Sequence, residues 1–299
     1  MPRSGFVSLI GRPNAGKSTL LNRLVGEKLA IVSPRPQTTR NRITGIRNLP
    51  DAQIVFVDTP GLNTGGGMLG EFMKQTVALA MEDVDVVCLL VDASAPRSKP
   101  DDLVLTPLEA YRGPVFCLLN KADLVRPKAR MLPLIEAWRA AYPFREILPV
   151  SATDGTNCDR LVDLVAAAMP EHPAYFPTDV TTDQPETFYV AEVVREKVFH
   201  FTRDEVPYAV AVRVDDLTER RRPEERLDIR ATVFVETQSQ RGILVGKGGS
   251  MLKRIGTAAR LELEAFFGIK VFLGLTVAVR RNWRKDERAL REFGLRLTS

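Results

Sequence analysis

The sequence predicts an α/β domain with a mostly parallel sheet, followed by a smaller α+β domain. Strand-like and helix-like segments alternate from Phe6 to about Met169, which indicates a parallel sheet with helices on both faces. Four prolines then fall within residues 170–185, a composition typical of a domain boundary. After this boundary the order of segments is helix, strand, strand, helix, helix, strand. We therefore expect a first domain at 1–172, a linker at 173–185 and a second domain at 186–299.

The composition is that of an ordinary globular protein, with 44% apolar and 26% charged residues among 299. No apolar run is long enough to cross a bilayer, and the N-terminus lacks the apolar core of a signal peptide, so we expect a cytoplasmic protein. The three cysteines, Cys88, Cys117 and Cys158, do not have the spacing of metal ligands. Buried free thiols in a reducing compartment are therefore the favoured interpretation.

The elements of the first domain are assigned from apolar runs and from the turn residues beside them. The predicted strands are 6–10, 53–58, 84–92, 115–120 and 147–151. The predicted helices are 19–25, 71–81, 103–111, 129–142 and 158–168. Ligands of parallel sheets bind at the carboxyl ends of the strands, so polar motifs that follow strands are the candidates for a binding site.

The segment after the first predicted strand fits the phosphate-binding pattern G-x-x-x-x-G-K-[ST]. It consists of Gly11, Arg12, Pro13, Asn14, Ala15, Gly16, Lys17 and Ser18, and Thr19 continues it into the next helix. The glycines let backbone N–H groups turn towards phosphate oxygens, and the helix N-terminus adds its dipole. Lys17 would reach the β- and γ-phosphates, and the Ser18 hydroxyl would bind Mg²⁺. The same letters also fit an ordinary glycine turn between a strand and a helix.

A second motif, Asp58-Thr59-Pro60-Gly61, follows the second predicted strand. The Asp58 carboxylate can hold Mg²⁺, usually through a water molecule, and the Gly61 amide can donate a hydrogen bond to a γ-phosphate. A turn that contains proline and glycine explains these four residues equally well, so the motif is weak by itself.

Two further motifs follow the fourth and fifth predicted strands and point to the base of a nucleotide. The Asp123 carboxylate can accept hydrogen bonds from N1–H and from the 2-amino group of guanine, which adenine cannot match, so it would select GTP over ATP. Lys121 would pack over the base, and Asn120 would brace the loops. The backbone of Ser151 and Ala152 can approach guanine O6. The alternative is a pair of solvated polar turns.

The four motifs occur in one order, each at the end of a predicted strand, so chance agreement is improbable and the chain resembles the translation-factor class of P-loop GTPases. The loop at 33–40 would then be a switch, in which Thr38 or Thr39 reaches Mg²⁺ only when a γ-phosphate is bound. Without the other motifs this loop would be interpreted as an exposed polar loop. The segment 59–67, with three consecutive glycines, would be a second switch. The candidate catalytic residues are Lys17, Thr39 and Gly61, and the candidate metal ligands are Ser18, Thr39 and Asp58.

Two residues of the predicted site bear on the rate of hydrolysis. Leu62 stands where many GTPases have a glutamine that orients the attacking water, so we expect slow intrinsic hydrolysis with the water positioned by backbone or by another element. The side-chain carbonyl of Asn14 offers a ligand for a monovalent cation such as K⁺ beside the phosphates. A loop asparagine that bonds to its own backbone is an equally good interpretation of Asn14.

A glycine-rich turn at 246–249 separates two predicted helices of the second domain. A G-x-x-G turn lets a nucleic-acid backbone come close, and Lys247 supplies positive charge. The element order and the apolar and basic surroundings favour a KH-type RNA-binding module of type II, and helix-capping glycines are the alternative. The candidate RNA-binding residues are Ile243, Gly246, Lys247, Gly248, Gly249, Lys253 and Arg254. Apolar side chains would form the floor of a groove for about four nucleotides: Ile243, Val245, Leu252 and Ile255.

The distribution of charge permits a nucleic-acid partner for the second domain. Residues 1–182 carry 20 basic and 19 acidic side chains, a net charge of +1, and residues 183–299 carry 22 and 18, a net charge of +4. The remaining predicted elements are a helix at 188–201, strands at 208–215, 229–236 and 271–279, and a solvated helix at 281–288. Trp283 is expected to pack in the core, and the basic tail is a candidate for contact with anionic lipid.

The chain resembles the Era family of bacterial ribosome-assembly GTPases over nearly its whole length. The resemblance is carried by the segments 37–40, 202–207 and 283–290 together with the nucleotide motifs and the turn at 246–249. It implies GTP hydrolysis with Mg²⁺, binding to the 3′ end of 16S ribosomal RNA on the small (30S) subunit, and a loosely attached fraction at the inner membrane. It also implies that Leu62 belongs to the family pattern. We expect a monomer.

Two residues depart from the family pattern. Asn63 stands where the family often has histidine, and Gly274 interrupts the last predicted strand and is expected to loosen it.

Two functions remain open. In one function, an enzyme uses GTP hydrolysis as a timer for holding RNA. In the other, the protein is an RNA-binding scaffold whose nucleotide is mainly structural, and the intact set of Lys17, Ser18 and Asp58 argues against this. An ATPase is a weaker third function.

Overall fold

The computed structural model describes residues 2–33, 35–62, 67–95, 104–220 and 225–295. The chain divides into two compact units, one that comprises most of the first 183 residues and one that begins at Gln184. This division falls inside the segment that the prolines predict as a linker. No helix among the described residues has the length and apolar character needed to cross a membrane.

Six strands form the sheet of the first unit: β1 (Arg3–Gly11), β2 (Ile43–Asn48), β3 (Ala52–Asp58), β4 (Val86–Asp92), β5 (Val115–Asn120) and β6 (Glu146–Pro149). Their order across the sheet is β2-β3-β1-β4-β5-β6. The pairs β1–β3, β1–β4, β4–β5 and β5–β6 are parallel, and only β2 runs antiparallel to its neighbour. The prediction of a mostly parallel sheet is therefore confirmed.

The edge strand β2 is the one strand of this sheet that the sequence analysis missed. Its sequence, ITGIRN, has a glycine in the middle and polar residues at its end, so it lacks the apolar run of a buried strand. Gly45 is required by packing, because a Cβ at this position would lie 2.7 Å from Cγ2 of Val25 and 2.8 Å from Cδ1 of Leu21. The close approach of β2 to the first helix thus depends on a residue that weakens the strand signal.

The helices of the first unit are α1 (Lys17–Val25), α2 (Gly67–Leu79), α3 (Met131–Ala141) and α4 (Cys158–Ala168). The last of these has the predicted bounds. The helix predicted at 103–111 is wrong in its described part, which contains only a 3-10 turn at Thr106–Glu109. Leu108 there is fully buried in the core cluster beside β4 and β5, so the apolar residues pack without a full helix.

The core of the first unit lies on both faces of the central strands, as is typical of a parallel sheet. Every residue from Val86 to Leu90 is completely buried. Cys88, Cys117 and Cys158 are buried and form no disulfide in the described part of the chain, in agreement with the sequence analysis. Burial raises the pKa of the Cys88 thiol far above its ordinary value, so this sulfur stays protonated and behaves as an apolar group.

The proline-rich segment that precedes the second unit is hydrogen-bonded to the edge of the first sheet. Gln53 on β3 accepts hydrogen bonds at Oε1 from the amides of Tyr175 (2.8 Å) and Phe176 (3.0 Å). The Ile46 amide on β2 donates to the Thr181 carbonyl at 2.8 Å. The segment is therefore an ordered strap along β2 and β3, which also satisfies backbone groups of the edge strand.

The second unit contains strands β7 (Ala211–Arg220), β8 (Arg226–Val235) and β9 (Lys270–Val279), and helices α5 (Glu186–Phe201), α6 (Gln238–Val245), α7 (Ser250–Phe267) and α8 (Glu287–Glu292). The order of β7-β8-β9 is also the order in the sheet, with β7 antiparallel and β9 parallel to β8. The predicted order of elements is confirmed. A short helix in the tail begins at Glu287 rather than at 281.

Three sequence expectations for the second unit are decided by its packing. Trp283 is completely buried, and its Nε1 donates a hydrogen bond to the Ala209 carbonyl at 2.9 Å, so the expectation of a packed indole is confirmed. Ile255 is also completely buried in the core cluster, so the prediction that it lines an open groove is wrong. Gly274 does not interrupt β9, because its pairing with Arg230 continues the register without a shift.

Candidate functional site

The phosphate-loop segment connects the end of β1 with the start of α1, and the fold requires glycine at two of its positions. Gly11 has a φ of 151°, and Gly16 has a φ of 97°. A Cβ on Gly11 would lie 2.3 Å from the Leu90 carbonyl oxygen, and one on Gly16 would lie 2.2 Å from Nδ2 of Asn120. The loop is therefore pressed against neighbouring strands and loops. The helix N-terminus behind it points its free amides at the same space.

Lys17 at the start of α1 is buried and bound only weakly by the loop itself. Its Nζ donates hydrogen bonds to the carbonyls of Gly11 (3.1 Å) and Arg12 (3.2 Å). Burial lowers the pKa of Lys17 to about 8, and the nearby charge of Asp58 acts in the opposite direction. An ammonium group held by neutral carbonyls, rather than by a carboxylate, can bind a phosphate oxygen without first breaking an ion pair.

Three oxygen-bearing side chains converge next to Lys17. The Ser18 hydroxyl donates to Oδ2 of Asp58 at 2.6 Å and lies 2.8 Å from Oγ1 of Thr39, which is itself 3.5 Å from the same carboxylate oxygen. The Thr38 hydroxyl instead donates to the Arg35 carbonyl at 2.8 Å. The structure thus places Thr39, rather than Thr38, beside the other two oxygens.

The electrostatics of Asp58 fit a site for a small divalent cation. Its Oδ1 is buried and has no hydrogen-bond partner among the described residues. Burial raises the pKa of Asp58 to about 6, while the charge of Lys17 and the hydrogen bond from Ser18 act in the opposite direction. Two hydroxyls and one carboxylate are the hard oxygen donors that Mg²⁺ binds, and the unsatisfied Oδ1 leaves a lone pair for such an ion or its water.

The segment after Asp58 is held against the phosphate loop. A Cβ on Gly61 would lie 2.7 Å from both the nitrogen and Cγ of Pro13, so a side chain at this position would collide with the loop. The next amide, that of Leu62, donates to the Gly11 carbonyl at 3.0 Å. The Leu62 side chain packs on the apolar cluster of the first unit. The rest of the predicted second switch, 63–66, lies outside the described residues.

Asn120 joins the loop after β6 to the phosphate loop. Its Nδ2 donates to the Ala15 carbonyl at 2.7 Å, and its Oδ1 accepts the Ala152 amide at 3.0 Å. The Ala152 amide is therefore used within the protein, a contact that the sequence analysis did not anticipate. Ser151 is completely buried, and its amide donates to the Thr156 carbonyl at 3.1 Å.

Lys121 and Asp123 frame the place expected for the base. Lys121 has a φ of 62°, and its Nζ forms an ion pair with Oδ2 of Asp92 at 2.5 Å. One carboxylate oxygen of Asp123, Oδ1, is buried without a hydrogen-bond partner in the described part of the chain. A buried carboxylate oxygen of this kind is costly unless a ligand donor reaches it, which is what the N1–H and amino groups of guanine provide.

Two residues near the motifs were not identified from the sequence: Asp92, which pairs with Lys121, and Arg23. Arg23 on α1 donates from Nε to the Ala152 carbonyl at 3.2 Å and from its second terminal nitrogen to the Thr153 carbonyl. It ties the helix behind the phosphates to the loop behind the base. No local signal identifies Arg23, because its partners are about 130 residues away in the sequence.

The phosphate loop, parts of the segment 31–39 and Gly61 surround one cavity that is open to solvent. Lys17, Ser18 and Thr39 all line it, so the candidate catalytic and metal-binding residues face a common space. Asn14 also lines it and has a φ of 63° on an exposed turn.

The glycine-rich turn of the second unit is a separate site. The preceding helix α6 is fixed by a capping box between Thr237 and Gln240, and α7 begins directly after the turn at Ser250. Gly248 and Gly249 have φ values of 59° and 80°, and a Cβ on either would meet no atom of the described residues within 4 Å. The turn therefore stands open to a ligand.

The other candidate RNA-binding residues differ in their surroundings. Ile243 is 45% exposed, an apolar side chain on the surface close to the turn. Lys247 and Lys253 are exposed. The Arg254 guanidinium lies 4.2 Å from the ring centroid of Phe201, so this side chain is already stacked on an aromatic residue of its own unit.

Comparison with known families agrees with this division into two units. Residues 6–121 match the family described as "50S ribosome-binding GTPase". Residues 205–284 match the family described as "KH domain". The first match contains the phosphate loop and the motif at 58–61, and the second contains the glycine-rich turn.

Similar proteins cover nearly the whole chain. GTPase Era of Geobacter metallireducens is 52% identical over 292 residues, which are 98% of this chain and 97% of the relative. GTPase Era of Geotalea uraniireducens is 50% identical with the same coverage.

Two crystal structures of Era have the same fold as the whole chain. One is a complex with MgGDPNP and nucleotides 1506–1542 of 16S ribosomal RNA, with a TM-score of 0.96 and 37% identity over 99% of this chain and 100% of that one. The other is a variant of Aquifex aeolicus Era bound to GDP·AlF4⁻, with a TM-score of 0.94 and 38% identity over the same shares. Taken with the geometry of the nucleotide site, these similarities show that the chain belongs to the Era family of GTPases.

Proposed function

We propose that this chain is a Mg²⁺-dependent GTPase that binds the 3′ end of 16S ribosomal RNA through its KH domain and acts in maturation of the small ribosomal subunit. The observation that carries the enzymatic part is the cluster of Ser18, Thr39 and Asp58 beside Lys17. The relatives named above support the RNA target, since one was crystallised with a 16S fragment. We also propose the domain bounds 1–172 and 186–299, with a linker at 173–185.

In the nucleotide site, each group of residues has a separate role. Amides of residues 11–18 and the Lys17 ammonium would hold the phosphates, with Thr19 at the start of α1. Thr59 and Pro60 position the strand end, since the Thr59 hydroxyl donates to the Leu9 carbonyl at 2.8 Å. Asn120, Lys121, Asp123, Ser151 and Ala152 would form the guanine end.

Ser18, Thr39 and Asp58 are the proposed ligands of Mg²⁺, directly or through water. When bound, Mg²⁺ neutralises charge on the β- and γ-phosphate oxygens. Thr39 lies on a loop that the other two ligands do not share, so its contact provides the link between the state of the nucleotide and the position of that loop.

Hydrolysis would depend on backbone groups rather than on a side-chain amide. The Leu62 side chain has no polar atom to offer to the attacking water, and it packs on the core. The Gly61 amide is the proposed donor to the γ-phosphate.

Asn14 is the proposed ligand of K⁺, and faster GTP hydrolysis in KCl than in NaCl would support this assignment. We expect slow intrinsic turnover.

For the RNA site, the open turn at 246–249 is the proposed contact with the RNA backbone. Lys247 and Lys253 are exposed and supply positive charge, and Ile243 supplies an apolar surface for a base. Arg254 would contribute from its position on Phe201. We propose a cytoplasmic monomer with a peripheral fraction at the inner membrane, for which the exposed Arg281, Lys285 and Arg288 provide positive charge.

The test is phosphate release from GTP by the full chain, with and without an RNA of the 16S 3′-end sequence. We expect turnover in both conditions and different RNA affinities in GDP and in GDPNP. The Lys17→Ala variant should lose turnover, because it lacks the ammonium group that would hold the phosphates. An RNA affinity independent of the nucleotide, together with normal ribosome maturation in the Lys17→Ala strain, would instead favour an RNA scaffold with a structural nucleotide.

A further inference from the structure

Arg35 is a charged residue of the nucleotide cavity that belongs to the loop at 33–40 but has no role assigned from the sequence. It lines the same cavity as Asn14, Lys17, Thr39 and Gly61. Its Nη1 is buried and has no hydrogen-bond partner in the described part of the chain. Burial of an unpaired guanidinium nitrogen is unfavourable, so a phosphate oxygen that reached Nη1 would offset this cost.

The backbone around Arg35 is connected to the switch threonines. The Arg35 amide donates to the Ser33 hydroxyl at 3.1 Å, and the Arg35 carbonyl accepts the Thr38 hydroxyl at 2.8 Å. The turn continues through Gln37, whose φ is 61°, to Thr39 at the proposed metal site. The position of the guanidinium is therefore coupled through one short turn to the threonine that responds to the γ-phosphate.

The chemistry of the cavity leaves a role for a second cationic side chain, besides Lys17, at the phosphates. Lys17 is bound by carbonyls of the phosphate loop at one side of the cavity. The residue after Gly61 is Leu62, which offers no polar side chain, so the switch that follows β3 supplies only backbone donors at this point. A guanidinium presents several N–H donors in a planar fork that matches the oxygens of a phosphoryl group.

We propose that Arg35 contacts the γ-phosphoryl group of GTP and stabilises the charge that develops there during hydrolysis. The residue acts from its own chain, in the manner of an arginine supplied in cis. Its contact is made with GTP and with the transition state but not with GDP, which lacks the γ-phosphate. This inference rests on the proposed function only in that GTP is the nucleotide.

The test compares Arg35→Ala, Arg35→Lys and the unchanged full chain, with Arg42→Ala as a matched control. Arg42 is an exposed arginine beyond the same loop and does not line the cavity. We expect Arg35→Ala to weaken GDPNP binding roughly 10- to 100-fold, since one charge-assisted contact is lost, and to leave the affinity for GDP unchanged. GDP·AlF4⁻ formation should be lost, and turnover should fall by about tenfold or more.

The lysine variant separates charge from geometry. Arg35→Lys should recover part of the GDPNP affinity but less of the turnover, because lysine keeps the charge and loses the fork. Two results would overturn the proposal. One is an unchanged ratio of GDPNP to GDP affinity in Arg35→Ala. The other is an equal loss of GDP and GDPNP binding together with a lower melting temperature, which would assign Arg35 a structural role.

A third result distinguishes RNA from nucleotide as the partner of Arg35. All affinities are measured without RNA and then repeated with the 16S 3′-end fragment. Loss of RNA binding in Arg35→Ala with normal GDPNP and GDP affinities would contradict the proposal, because it would assign the guanidinium to an RNA phosphate. Failure of turnover in every variant, including Arg42→Ala, would count against the proposed GTPase and not against the Arg35 contact, which the affinity ratio tests separately.

Discussion

The phosphate loop at 11–18 and the turn at 246–249 are both rich in glycine, yet their glycines have different surroundings. In the phosphate loop, a Cβ on Gly16 would overlap the Asn120 amide at 2.2 Å. In the KH turn, a Cβ on Gly248 would meet no atom of the described residues within 4 Å. Both residues have a positive φ, so the backbone strain is shared and only the packing differs.

This difference indicates how each loop meets its ligand. The phosphate loop is packed against β-strand ends and the Asn120 loop, so the protein itself fixes the directions of its amides before a nucleotide arrives. The KH turn projects between α6 and α7, so the free space around it is what an RNA backbone can enter. Gly16 is required by packing within the protein, whereas Gly248 leaves open the space that we expect an RNA backbone to approach.

The largest effect is expected from Gly16→Ala. The added methyl group collides with Asn120, and alanine must adopt the left-handed backbone conformation that glycine has at position 16. The phosphate loop and the loop that carries Asn120 therefore cannot both keep their positions. We expect loss of nucleotide binding by more than about 100-fold and a decrease of roughly 2–4 kcal/mol in the free energy of unfolding. Titration with GDP and chemical denaturation measure the two effects.

The control for this change is Gly248→Ala, which adds the same methyl group at a similar φ but in open space. Its cost is backbone strain alone, about 1 kcal/mol. If both alanine variants lost GDP affinity to the same extent, packing against Asn120 would not be the reason for glycine at position 16.

A smaller effect, confined to RNA, is expected from Gly248→Asp. The side chain enters the space where the RNA backbone is expected, and its negative charge repels phosphates, so RNA affinity should fall roughly 10- to 100-fold. GDP affinity should not change, because the turn belongs to a separate unit. Fluorescence anisotropy with the 16S 3′-end RNA measures the change, and equal RNA binding by the aspartate and alanine variants would argue that RNA does not approach this turn.

The smallest effect is expected from Lys247→Ala. Lys247 is exposed, so its contribution to folding is slight, and we expect it to contribute one phosphate contact to RNA binding. We expect RNA affinity to fall a few-fold and the slope of log affinity against log salt to decrease by about one. Binding measured across a series of KCl concentrations gives the slope. An unchanged slope would show that Lys247 does not contact a phosphate.

Features that are encoded by local signals can be predicted from this sequence, whereas features that depend on contacts between distant residues cannot. The strand, loop and helix around residues 11–18 were predicted because glycine, lysine and serine occur at fixed spacing next to an apolar run. The strand β2 was missed because Gly45 reduces its strand character, and the reason for Gly45 is contact with α1. Ile255 was assigned to an open groove because an amphipathic pattern does not show how deeply each apolar residue lies.

The linker illustrates the same limit. Prolines at 170, 173, 177 and 185 correctly indicate where the regular alternation ends, but they do not show that residues 175–182 bind along the sheet edge. The hydrogen bonds to Gln53 and from Ile46 exist only because the chain returns to β2 and β3 after the sheet is complete.

The sequence by itself determined the two types of domain, the four nucleotide motifs and the glycine-rich KH turn, and it predicts the choice of guanine through Asp123. These features are encoded in short segments whose spacing and backbone requirements act locally. Only the tertiary structure decided that Thr39 rather than Thr38 joins Ser18 and Asp58, that Arg23 holds the base loop and that Arg35 lines the cavity. Each of these contacts joins separate loops, and the order of strands in the sheet sets which loops meet.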